Sequence, residues 1–161
     1  MKILSVLFAI SGLFSIFEKG IAEKDWLQVT KIVYCHSDGS IAPPYYRSFT
    51  MTVTADSITV TIRDYSRTLA EKRYPNTEQH YKALVAKLKD TGISKGREVK
   101  DNSTGGDSES LSLYKDDEEF FKAYKSGNGG NLKLKKNNLE RLFKELMTSD
   151  LIHVLRNETE I

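Results

Sequence analysis

The stretch "SFTMTVTADSITVTIR", residues 48–63, constrains the fold more than any other part of the chain. Phe49, Met51 and Val53 alternate with Ser48, Thr50, Thr52 and Thr54, and Ile58, Val60 and Ile62 then alternate with Thr59, Thr61 and Arg63. A period of two puts the apolar side chains on one face of an extended backbone and the hydroxyls on the other. β-Branched residues at this density favour a pleated surface. The two runs meet around Asp56, so they form a tight antiparallel hairpin. Such a hairpin starts a sheet with one dry face and one wet face.

The neighbouring segments extend that sheet. From Trp26 to Cys35, the alternation of Leu27, Val29, Val33 and Cys35, interrupted by Lys31, reads as a strand leading into the hairpin. Asp38-Gly39 and Pro43-Pro44 turn the chain between them. After the hairpin, Asn76 followed by Gln79 has the form of a capping box, and Tyr81, Leu84, Val85 and Leu88 share one helical face. Gly92 with Ile93 behind it closes that helix. Residues 94–107 are polar and read as loop. "ESLSLY" and "FFKAY" read as a fourth and a fifth strand joined by the charged turn "KDDEE", and "KSGNGGN" reads as a turn or loop. Leu139, Leu142, Phe143 and Leu146 predict a second helix over 137–147, followed by Leu151, Ile152, Val154 and Leu155 at the core edge. The expected fold is α+β: an antiparallel sheet of about five strands, in the order β-β-β-α-β-β-α, with two helices packed on one face.

The amino terminus follows a different logic. Lys2 is followed by an apolar run from Ile3 to Phe17, and Gly20-Ile21-Ala22 supplies small residues around a peptidase site. These are the parts of an export signal, with cleavage expected after Ala22. The run is shorter than the roughly 20 residues that span a bilayer, which disfavours a permanent anchor. Residues 1–22 are therefore expected to be a signal peptide, and residues 23–161 a single domain that is periplasmic or secreted. Loss of residues 1–22 removes Lys2, Lys19 and Glu18, so 22 basic residues then face 21 acidic ones. That balance gives no general attraction to nucleic acid or to anionic lipid. A single cysteine makes no internal disulfide.

"VYCHSDG" gathers Cys35, His36, Ser37 and Asp38, the side chains of nucleophilic active sites. Strand neighbours point to opposite faces, so His36 is directed away from Cys35, and triads are assembled from distant segments. Cys35 reads as a small core side chain, and Ser37-Asp38-Gly39 as a turn. His80 falls in the first turn of a helix and His153 in the apolar carboxyl-terminal segment; neither has metal-ligand spacing. The run Asp116-Asp117-Glu118-Glu119 lacks the spacing of a calcium loop. "STGGDS" precedes a strand rather than the helix a phosphate cradle needs. No cofactor or metal is implied. Asn102-Ser103-Thr104 and Asn157-Glu158-Thr159 are glycosylation sequons, meaningful in a eukaryotic host. "APPYYRSF" places Tyr45, Tyr46 and Arg47 beside a double proline. They are the candidate partner-binding patch; the alternative is that a tyrosine closes the end of the core.

A signal segment, a first strand ending near Cys35, a Thr-rich hairpin, a helix, Gly105-Gly106 before "SLSLY" and a Leu-rich final helix follow in that order. In this layout, over residues 26–147, the chain resembles small exported domains of Bacteroidota whose role is uncharacterised. It departs from some of them in having no extra cysteines around Gly105. The resemblance implies an envelope location and an α+β fold, and transfers no catalytic residue.

With no convergent catalytic set, the leading expectation is a non-enzymatic binding or inhibitory module outside the cytoplasm. Its partner would be a protein or small ligand, not nucleic acid, and not membrane after cleavage. The alternatives are a hydrolase or thiol enzyme using Cys35, and a subunit of an envelope assembly.

Overall fold

In the computed structural model, which describes residues 19–39, 42, 45–100 and 105–156, the alternating hairpin belongs to a much wider sheet. The chain runs through β1 (Lys19–Gly20), α1 (Glu23–Trp26), β2 (Lys31–Ser37), β3 (Ser48–Thr54), β4 (Ser57–Arg63) and β5 (Thr68–Pro75). Then come α2 (Glu78–Asp90), β6 (Ser94–Val99), β7 (Ser108–Lys115), β8 (Glu118–Ser126), β9 (Gly129–Lys133), α3 (Leu139–Lys144) and α4 (Ser149–Arg156). All strand pairs are antiparallel, in the spatial order β1-β6-β9-β8-β7-β2-β3-β4-β5.

The five-strand, two-helix expectation is therefore overturned: the described residues form nine strands and four helices. The antiparallel sheet with helices remains. The additional strands are short, polar or glycine-bearing. β5 reads "TLAEKRYP" and lies at one edge, where a strand pairs on one side only. β6 reads "SKGREV" within the segment expected as loop, and β9 reads "GGNLK", of which Gly129 to Asn131 fall in the segment expected as a turn or loop. β5 carries the charge and proline of an edge strand, whereas β6 and β9 lie inside the sheet and lose apolar alternation to glycine and polar residues. The helix expected over 137–147 is instead α3, followed by a separate α4. α2 is capped by the Thr77 hydroxyl, which accepts from the His80 amide at 3.2 Å, rather than by Asn76.

One strand also turns the other way from expectation. Trp26 ends a short helix, so extended backbone begins only at Lys31. In β2 the buried face carries Ile32, Tyr34 and His36, while Val33 and Cys35 lie on the opposite face. A phase error of one residue exchanges every side chain between faces. Register explains the choice. Ile32 pairs with Val53 and Leu113, and Tyr34 with Met51 and Leu111, so the larger side chains complete rows already apolar.

The helices cover that face. Tyr81, Leu84 and Leu88 of α2, Leu139 and Phe143 of α3, and Leu151 of α4 join the strand residues in one apolar cluster. Phe143 stacks on Tyr34 with ring centroids 4.2 Å apart and planes within 4°. The Tyr74 hydroxyl donates to the Leu146 carbonyl at 2.6 Å, and Lys72 meets Asp150 at 3.0 Å, tying β5 to the carboxyl-terminal helices. Thr50, Thr52, Thr59 and Thr61 share the other face with Cys35.

Candidate functional site

The apolar rows of the sheet end in a polar one. Cross-strand pairing sets His36 of β2 beside Glu109 of β7, and Glu109 beside Lys125 of β8, all on the helix-covered face. The next row inward is Tyr34, Leu111 and Ala123. The Tyr34 hydroxyl donates to Glu109 Oε2 at 2.9 Å. Burial, and then the Glu109 carboxylate, push the Tyr34 phenol well above its ordinary value, because both oppose a second negative charge.

His36 is only 7% exposed. Its ring lies 5.6 Å from that of Phe49. Nε2 stands 3.7 Å from Asp38 Oδ1 and 3.7 Å from Glu140 Oε1, within ion-pair range but too far for a hydrogen bond. Nδ1 is buried and has no hydrogen-bond partner among the described residues. Glu140 reaches this place because α3 starts above it: the Asn138 side chain caps the helix by accepting from the Arg141 amide at 3.0 Å. Lys144, one turn on, pairs with the same Glu140.

Three glycine-bearing turns wall the site. The Gly39 amide donates to Asp107 Oδ1 at 2.9 Å, and the Gly127 amide to the Asp107 carbonyl at 3.0 Å. A Cβ on Gly39 would stand 2.7 Å from the Gly106 backbone, and one on Gly106 would stand 2.8 Å from the Gly127 Cα. Only glycine lets these backbones approach so closely. The result is an open cleft of about 360 Å³ lined by His36, Asp107, Glu109, Lys125, Asn128 and Glu140, together with Gly105, Gly106 and Gly127. "HSDG", "GGDS" and "SGNGGN", three turns unrelated in sequence, thus meet at one end of the sheet. Read one at a time, each looked like simple punctuation. The available signal was their recurrence beside strands that end at the same edge.

The candidate patch Tyr45, Tyr46 and Arg47 lies outside the lining of this cleft. Tyr45 is 63% exposed. Tyr46 stacks on Tyr65 at 3.9 Å, and its hydroxyl donates to Ser37 Oγ at 3.0 Å. Arg47 turns inward: it is 7% exposed, and its Nε donates to the Val154 carbonyl at 3.3 Å, clamping the loop onto α4. Pro43 and Pro44 lie outside the described residues. Cys35 is half-buried on the hydroxyl face, accepting from Thr50 Oγ1 at 3.6 Å, so it is not the core side chain expected. The strand separates it from His36. His80 and His153 are exposed on α2 and α4. Asp116 and Asp117 form the β7–β8 turn at positive φ, and Asp117 pairs with Lys31 at 2.6 Å. No group of three or more His, Cys, Asp or Glu side chains suited to a metal occurs among the described residues. Residues 1–18 of the expected signal peptide 1–22 and both sequon asparagines lie outside those residues; of the remainder, Lys19–Gly20 pairs with β6, and Ile21 packs against the core.

Comparison of the chain with models of protein families, with curated proteins and with solved structures gave no match.

Proposed function

We propose that the chain is an exported binding or inhibitory module, periplasmic or secreted, and that its ligand seats in the cleft beside His36. The observation that carries this reading is the imidazole itself: nearly buried, lining an open cleft, with one nitrogen left without a partner. Leaving a buried polar atom unmade costs about 1–3 kcal/mol, so its retention calls for a use. Binding is favoured over thiol chemistry because Cys35 and His36 project from opposite faces of one strand. Export rests on the Lys2, Ile3–Phe17 and Gly20-Ile21-Ala22 pattern. Among the described residues no helix is long and apolar enough to cross a membrane.

Two measurements test this. Expressed with its own leader in a Gram-negative host, the protein should be recovered outside the cytoplasm beginning at Glu23; a cytoplasmic product retaining Met1 overturns export. His36→Leu, of similar volume, should raise stability by about 1 kcal/mol, because it removes the unpartnered nitrogen. The same variant should lose the thermal shift that small polar ligands give the native protein. A large destabilisation, with ligand shifts intact, would make His36 a structural residue and end the proposal.

A further inference from the structure

We infer that the cleft takes a protonated primary amine carried by a small polar molecule, an inference that rests on the binding reading above. The carboxylates of the cleft are held in a common way. Glu109 accepts from Tyr34 through Oε2, and Oε1 has no hydrogen-bond partner among the described residues. Asp107 accepts from the Gly39 amide through Oδ1, leaving Oδ2 in the same condition. Glu140 engages Lys144 and faces His36 through Oε1, leaving Oε2. Each carboxylate is fixed in place by one oxygen and offers the other.

Against three carboxylates the lining sets one formal cation, Lys125, at the far end of the row from His36. Lys144 offsets Glu140 from outside the lining, which leaves Asp107 and Glu109 against Lys125, so the cleft keeps a smaller surplus of negative charge together with surplus acceptors. An ammonium group answers both, having one positive charge and three donors. A neutral polyol answers only the acceptors, and an anion is repelled by the lining. The buried imidazole adds an independent constraint. Nδ1 has no partner among the described residues, and Nε2 is the edge turned toward Asp38 and Glu140. At 3.7 Å the imidazole makes no hydrogen bond to either carboxylate, and Glu140, held by Lys144 through Oε1, keeps Oε2 for a donor in the cleft. Lys125 adds selectivity: the other end of the ligand should be neutral or anionic, since a second cation would meet a like charge.

The test is a nuclear magnetic resonance titration of the full exported protein with glycinamide, N-acetylglycinamide, erythritol and acetate. Saturable shifts at the amides of His36, Gly106 and Glu109 with glycinamide, and none with N-acetylglycinamide, are expected. Glu109→Gln combined with Glu140→Gln should weaken glycinamide by about tenfold or more. Glutamine keeps an oxygen for the Tyr34 hydroxyl, and unchanged shifts outside the cleft verify that the fold persists. Unaltered affinity in that variant overturns the inference. Saturable shifts at the cleft with erythritol or acetate, but not with glycinamide, overturn the amine and leave the binding reading standing. No saturable shift there with any probe overturns both. A tetraglycine arm separates sources: tighter binding than glycinamide assigns a peptide amino terminus, and equal binding assigns a free amine.

Discussion

Tyr34 shows how a single side chain joins the core to the cleft. Its ring stacks on Phe143 while its hydroxyl reaches Glu109, so core packing fixes the position of a carboxylate in the cleft. Its phenol titrates above the ordinary value near 10, and burial raises Tyr81 as well and Tyr74 to about 12. The folded state holds these protons more tightly than the unfolded chain. Their contribution is complete below pH of about 10 and is lost as the pH rises above it. Urea unfolding should therefore show stability falling above that pH, and Tyr34→Phe should make the fall shallower. The same variant should cost about 1–3 kcal/mol at neutral pH through the lost bond to a charged acceptor. An alkaline limb unchanged in Tyr34→Phe would remove Tyr34 from this account. Individual residues were unevenly legible in the sequence. The inward positions of β3 and β4 followed from alternation, whereas β2 read out of phase because apolar Leu27 and Val29, ahead of the strand, extend the false register.

Elements divide along the same line. β3, β4, β7 and α2 could be read from the sequence because each buries a full face, and burial writes periodicity into a strand or helix. β5, β6 and β9 could not be read, because edge position and glycine content leave little to alternate. The cleft was hidden for a related reason: it is built from turns, whose meeting in space depends on strand order, and strand order is absent from local pattern. The turns nonetheless make demands that can be measured. Gly106 has φ of +111°, and a side chain there would press on the Gly127 backbone. Gly106→Ala should cost about 2 kcal/mol or more and perturb the cleft. Gly96→Ala is the control: its nearest contacts are the flexible Lys133 side chain, so its cost should be well below that of Gly106→Ala. Equal losses in thermal unfolding would show that the stacked turns carry no special constraint.

The whole molecule carries a small net charge, and carboxylates held in local hydrogen bonds and ion pairs shape its acid response. Asp64 is drawn down to about 2, first by the Ser66 amide and then by Arg67; Asp150 is drawn down to about 2, first by the Thr148 hydroxyl and then by Lys72. Both titrate lower in the folded state than in the unfolded chain. Their stabilisation is present above pH of about 4 and fades as the pH falls toward about 2. Circular dichroism should show a modest acid loss in that window. Because the Asp150 pair with Lys72 faces solvent while the Asp64 side chain is only 12% exposed, the Asp150 part of the loss should shrink in high salt. A loss that is indifferent to salt would point to buried groups instead. One more consequence follows from β2 and β7 lying side by side near the middle of the sheet. The strands from β2 to β5 form a continuous meander that can zip locally, but the inner flank of β2 must wait for Ser108–Lys115. Closing a seam between segments so far apart in sequence is slow. A nascent chain emerging amino end first would hold β2 open throughout that delay, and for that interval it would be most apt to pair with a stranger's strand.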